Sequence, residues 1–187
     1  MIRRLRASRF RSLGRDVTVD FGPLTALVGQ NGAGKSNTID ALVFLTDCMH
    51  LGLEGAVTKR HGIRAIRHAG SGGGRPYDVS IHVEIEREGF EAVYEIVLTG
   101  DRVEEYRVKR EHAYVRNGST FTVENGVFAG PENVQPHLEP TGLALTTLAG
   151  DARFAPLAQA LRSVTSYSIF PDALRVPQKY DPRRPMD

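Results

Sequence analysis

The nine residues GQNGAGKSN, 29–37, constrain this chain more than any other stretch of its 187 residues. Before them runs the uninterrupted apolar segment 24–28, LTALV, with the pattern of a strand covered on both faces. After them, across 36–49, Ile39, Leu42, Val43 and Leu45 recur at helical spacing. Strand, glycine-rich loop and helix are predicted in that order. Gly29, Gly34, Lys35 and Ser36 fit G-x-x-x-x-G-K-[ST], a match expected fewer than about 0.01 times by chance in a chain of this composition. In such a loop the glycines let backbone N–H groups close around phosphate oxygens. The lysine neutralises the β and γ phosphates, and the hydroxyl ligates Mg²⁺. The positive end of the helix faces the same anion. Gln30, Asn31, Gly32, Ala33, Gly34, Lys35, Ser36 and Asn37 are therefore the candidate nucleotide contacts, with Ser36 for the metal and with Asn37 and Thr38 capping the helix. ATP and Mg²⁺ are the expected cofactors.

The chain has the length of one domain, and with 41% apolar residues it can bury a core. The single cysteine, Cys48, excludes an internal disulfide, and the N-terminal arginines have no apolar run behind them to act as a signal sequence. No apolar stretch is read as approaching the roughly 20 residues that cross a bilayer. A cytoplasmic protein without a membrane role is expected. Net charge is only +2, but it is unevenly spread. Arg3, Arg4, Arg6, Arg9, Arg11 and Arg15 precede the first acid, and Lys59, Arg60, Arg64, Arg67 and Arg75 form a second basic run. Acids dominate between Glu84 and Glu105. Such asymmetry suits either a phosphate or nucleic-acid face or ordinary solvated charge.

Residues 2–21 alternate apolar and polar, break near 12–15 and end at Gly22-Pro23, which predicts a hairpin. A glycine-rich basic surface loop is expected over 51–76, ending in GSGGG. An antiparallel meander is expected over 77–130, from YDVSIHVEIE, FEAVYEIVLTG and VEEYRVKREHAYVRNG, extended by STFTVENGVF. The remainder, 131–187, reads as a proline-rich linker, a helix with the stripe Phe154, Leu157, Ala158, Leu161 and Val164, and the start of a crossover. The fold class is α/β.

RLRASRFRSLG followed by LTALVGQNGAGKSNTIDAL resembles the head domains of the RecF, SMC and OLD group of ABC-type ATPases over residues 1–45. The group's opening strand ends in a Phe-basic-Ser element, here Phe10-Arg11-Ser12, and its GKSN…DA pattern is matched through Asn37 and Asp40. The resemblance implies one P-loop NTPase lobe over 1–187, with a mixed core sheet, a P-loop helix in 1–50, the meander and a C-terminal helix. It places Arg11 and Ser12 near base or ribose, and Lys59, Arg60, Arg64 and Arg67 in a loop that reaches DNA or nucleotide. Gln178 falls where a Q-loop glutamine would touch Mg²⁺ and the attacking water. A complete head would form a homodimer around two ATP molecules, work on DNA in repair, recombination or phage defence, and take a nuclease or other effector partner.

Hydrolysis also needs an acid at the end of an apolar strand and a group that orients water. The family's hhhhDE sequence is not found. In EIVLTGD the Gly100-Asp101 pair reads as a turn, and SIFPD, ending at Asp172, is interrupted by Pro171. The one lookalike of the signature sequence, Ser71-Gly72-Gly73, is followed by Gly74, Arg75 and Pro76, so no helix starts there. The chain is therefore expected to be the first lobe of a head, binding ATP but hardly hydrolysing it alone. The alternative is a nucleotide-responsive binding module for DNA or a protein that hydrolyses nothing.

Overall fold

The computed structural model describes residues 1–68, 77–116 and 118–167. Its frame is a seven-stranded sheet: β1 (Ile2–Ser8), β2 (Val17–Asp20), β3 (Val79–Arg87), β4 (Phe90–Thr99), β5 (Arg107–Val115), β6 (Ser119–Glu124) and β7 (Val127–Ala129). The spatial order is β2-β1-β3-β4-β5-β6-β7, and all six ladders are antiparallel. The predicted hairpin and meander are both present, and STFTVENGVF adds two strands.

Alternation decides which face is buried. Val79, Ile81, Val83 and Ile85 of β3, and Ala92, Tyr94, Ile96 and Leu98 of β4, point inward, while their neighbours Glu84, Glu86, Glu91 and Glu95 lie on the other face. In β5 the phase changes. Val97 pairs Arg110 but Leu98 pairs Val108, so Lys109 is an extra residue, and Val108, Glu111, Ala113 and Val115 all turn inward. A bulge of one residue thus admits a carboxylate to the core.

The apolar face carries α1 (Lys35–Thr58), α3 (Ala144–Thr147) and α4 (Ala155–Arg162). The expected helix over 36–49 runs on to Thr58, broken only at Gly52, where φ 72 and ψ 169 are not helical. α1 is long and apolar enough to cross a bilayer by length and composition, which corrects the sequence count. Its apolar side is instead spent on the sheet, with Phe44, Leu45, Cys48 and Leu53 buried. Burial also pushes the Cys48 thiol pKa up. The predicted stripe on α4 packs inward, and α4 is fastened to α1 by Thr46 Oγ1 donating to Leu161 O at 3.0 Å and Arg162 Nε to Met49 O at 3.2 Å.

Two expectations change. Much of the basic stretch 51–76 is ordered: it holds the end of α1 and α2 (Ile63–Ile66), because Leu53, Ala56, Val57, Ile63 and Ile66 have a core to bury against. The apolar run 24–28 forms no ladder with any described strand, and Leu24 and Val28 are 93% and 92% exposed. The parallel component of a mixed sheet is absent among the described residues for the same reason. Gln178, Asp172, the Ser71-Gly72-Gly73 lookalike and the GSGGG run lie outside the described residues, as does the crossover after 167.

Candidate nucleotide site

The loop 29–34 leaves the exposed run 24–28 and enters α1 at Gly34, whose φ of 90 is left-handed and suits glycine. A Cβ there would also press to 2.9 Å on Leu13 Cδ2, so that leucine would have to shift. Lys35 Nζ donates to Gly29 O and Gln30 O, each at 2.7 Å, which folds the lysine back across the loop with its charge at the helix N-terminus. Within the loop Ala33 N donates to Gln30 O at 3.2 Å. The N–H groups of Gly32, Gly34, Lys35 and Ser36 have no hydrogen-bond partner among the described residues. Unpaired donors at a helix start beside an ammonium are the groups from which an anion site can be built.

Asn37 and Thr38 do not cap the helix: the N-cap is Gly34, without a side-chain cap. Thr38 Oγ1 bonds back to Gly34 O at 3.1 Å, and Asn37 Nδ2 donates to Ser12 Oγ at 2.6 Å. Both side chains emerge inside the first turn, where a residue bonds backward or sideways rather than to the free N–H groups. Ser12 lies in a tight turn after β1, with Arg9 at φ 57 and Arg11 at φ 51. Backbone bonds hold this strained turn: Arg9 N to Gly14 O at 2.8 Å, Arg11 N to Ile66 O at 2.6 Å, and His68 N to Arg9 O at 2.8 Å. Phe10 is fully buried, its ring 5.7 Å from that of Phe44.

The basic candidates divide. Arg60 is not on a surface face. Its side chain is 4% exposed, with Nη1 on Asp47 Oδ2 at 2.7 Å, Nη2 on Asp40 Oδ1 at 2.8 Å, and the guanidinium 5.0 Å from the Phe44 ring. Burial disfavours its charge, but the two carboxylates more than offset this and raise its pKa. Arg67 is also buried. It donates to the carbonyls of Arg102, Val103 and Glu105 at 3.1, 2.7 and 2.8 Å, holding the β4–β5 connection. Only Lys59 and Arg64 present their cations outward, paired with Asp47 at 2.7 Å and Glu104 at 3.8 Å. A basic run in sequence carries no information about which side chains meet carboxylates in space.

Sequence reasoning gave no role to Asp47 or Glu111. Glu111 is fully buried and accepts from Tyr94 Oη at 2.8 Å, Ala144 N at 2.6 Å and Leu145 N at 2.9 Å. Burial raises its pKa to about 7, against the pull of those donors. It ties β5 to the segment before α4 and stands apart from the loop 29–37.

Residues 4–126 match the pattern of the AAA domain family. A stretch of 42 residues is 43% identical to the chromosome partition protein Smc of Halothermothrix orenii, and one of 42 residues is 48% identical to that of Mycoplasma genitalium. Each covers 22% of this chain and 4% of the relative, so the chain spans a small part of the curated relatives it matches. Among solved structures, the Smc head bound to the C-winged helix domain of ScpA is 25% identical over 63% of this chain and 36% of that one, with TM-score 0.44. The SMC head domain from Thermotoga maritima is 26% identical over 64% and 38%, with TM-score 0.38.

Proposed function

Because this chain belongs to the AAA domain family, as an SMC-like ATPase head lobe of the P-loop NTPase kind, we propose that it binds ATP with Mg²⁺ through residues 30–37 and hydrolyses it only when a second lobe completes the site. The observation that carries this reading is the Lys35 ammonium folded across a loop in which the N–H groups of Gly32, Gly34, Lys35 and Ser36 have no partner among the described residues. Lys35 would balance charge on the β and γ phosphates, the backbone would wrap the α and β phosphates, and Ser36, exposed in the first turn, would ligate Mg²⁺. The metal, when bound, supplies charge neutralisation on the phosphate oxygens. Arg11 Nε pairs with Asp40 Oδ2 at 2.7 Å as an ion pair without hydrogen-bond geometry, and its guanidinium would serve the base or ribose.

Support for a missing half comes from the apolar run 24–28. A continuous apolar strand is stable when neighbours cover it, and here none of the described strands does. A second lobe would supply those neighbours together with the Walker B acid and signature sequence. In the assembled protein, ATP-sandwiched heads would act on DNA in repair, recombination or phage defence, with Lys59 and Arg64 as the remaining candidates for contact.

Titration of the purified chain with MANT-ATP and Mg²⁺ tests this. Binding is expected in the parent and lost in Lys35→Ala, and turnover of ATP stays near background. Equal binding by Lys35→Ala would overturn the nucleotide site. Robust hydrolysis by the chain alone, abolished in that variant, would overturn the half-site.

A further inference from the structure

Four successive residues after β1 dock on successive turns of one face of α1. Phe10 meets Phe44 at 5.7 Å between ring centroids, and Arg11 Nε lies 2.7 Å from Asp40 Oδ2. Ser12 Oγ accepts from Asn37 Nδ2 at 2.6 Å, and Leu13 closes on Gly34. The helix positions 34, 37, 40 and 44 are three or four residues apart, the spacing of a single helix face. The turn therefore runs antiparallel along the first three turns of the P-loop helix and touches it once per turn. It ends on the residue where the phosphate loop becomes helix.

Asp40 is the joint of this arrangement. Oδ2 lies 2.7 Å from Arg11 Nε, an ion pair without hydrogen-bond geometry, and accepts from Arg60 Nε at 3.2 Å, while Oδ1 accepts from Arg60 Nη2 at 2.8 Å and Nε at 3.2 Å. Arg60 cannot swing away, because Asp47 Oδ2, Ala56 O and the Phe44 ring hold its far side. A guanidinium gripped on two edges fixes a carboxylate in the plane of its fork. Asp40 in turn sits against Arg11, whose backbone is left-handed at φ 51 and is held by Arg11 N donating to Ile66 O at 2.6 Å.

We propose that Asp40, held by Arg60, is a positioning residue for the nucleotide. It fixes Arg11, keeps the turn 10–13 seated on α1, and thereby holds the start of α1 in the shape that receives phosphate. This rests on the nucleotide reading above. Affinity for ATP depends on a carboxylate that acts through Arg11.

The test measures MANT-ATP affinity with Mg²⁺ alongside urea unfolding for the parent chain, Lys35→Ala, Asp40→Asn, Arg11→Ala and the double variant Asp40→Asn/Arg11→Ala. About a tenfold loss is expected in each single variant and no further loss in the double, since both act through one contact. A merely structural role would lower the urea midpoint and leave the affinity of the folded protein unchanged. Arg60→Lys, which keeps the charge but loses the two-edged grip, is expected to weaken binding to the same degree and carries the test if Asp40→Asn fails to fold. Full affinity in Asp40→Asn, or losses that multiply in the double variant, would overturn the positioning role while leaving the nucleotide site intact. If the parent binds no MANT-ATP, both readings fall.

Discussion

Arg60 Nη1 and Asp47 Oδ2 meet at 2.7 Å with their side chains 4% and 10% exposed, so the ion pair is closed off from water beneath the end of α1. Removing one member of such a pair leaves the other charged and poorly solvated. Asp47→Ala is expected to cost about 2 kcal/mol, less than the loss of a sole partner because Asp40 still pairs Arg60, read as a lowered urea midpoint at unchanged slope. Burial opposes ionisation of Asp47, but the bonds from Lys59 and Arg60 outweigh it and hold its pKa below the ordinary value. Its contribution is therefore present above about pH 4 and is lost as pH falls through the depressed pKa. An Asp47→Ala variant as stable as the parent at pH 7 would contradict this.

Glu111 has the opposite sign. Its pKa rises from 4.5 to about 7 in the folded protein, so the native state keeps a proton that the unfolded chain has released. The contribution of this group to stability is greatest below pH 4.5, falls as pH rises to about 7 and then levels, a change of about 3 kcal/mol. Glu111→Gln cannot ionise and is expected to flatten that part of the profile, whatever its baseline stability. Urea midpoints collected from pH 5 to pH 8 decide it, and an unchanged slope in the variant would show that another group titrates.

Gly100 marks a place where backbone and a buried cation crowd together. A Cβ there would overlap the Glu105 carbonyl oxygen and press to 2.6 Å on Arg67 Nη2. Gly100→Ala is expected to destabilise the chain by about 2 kcal/mol or more in thermal or urea unfolding, because the carbonyl cannot yield as a flexible side chain would. A neutral substitution would mean that the β4–β5 connection is free to move.

For DNA contact, the structure redirects mutagenesis from Arg60 and Arg67 to Lys59 and Arg64. Lys59→Ala/Arg64→Ala is expected to weaken any DNA binding and to lower the slope of log affinity against log salt by about 2, one for each phosphate contact. An unchanged slope in a fluorescence anisotropy titration across salt concentrations would assign both cations to ordinary surface charge.

Much of this architecture is local, and therefore legible in the sequence. Period-two alternation with Glu-Gly and Asn-Gly turns predicts the meander, and the G-x-x-x-x-G-K-S spacing marks the candidate phosphate loop ahead of a helix that the structure contains. Three features were decided in three dimensions. The bulge at Lys109 turns Glu111 inward, because register depends on how two strands meet. The burial of Arg60 and Arg67 is not legible in the sequence, because the carboxylates on Arg60 and the carbonyls on Arg67 lie 13 to 38 residues away along the chain and nothing in a basic run says which cation will find them. The turn 10–13 and α1 share a face because the sheet brings β1 against the P-loop helix. The sequence alone determined which residues make up the candidate cradle, since such a loop is built from adjacent residues. Only the tertiary structure decided what packs against it, since Phe10, Arg11, Ser12 and Leu13 become neighbours of α1 by folding alone.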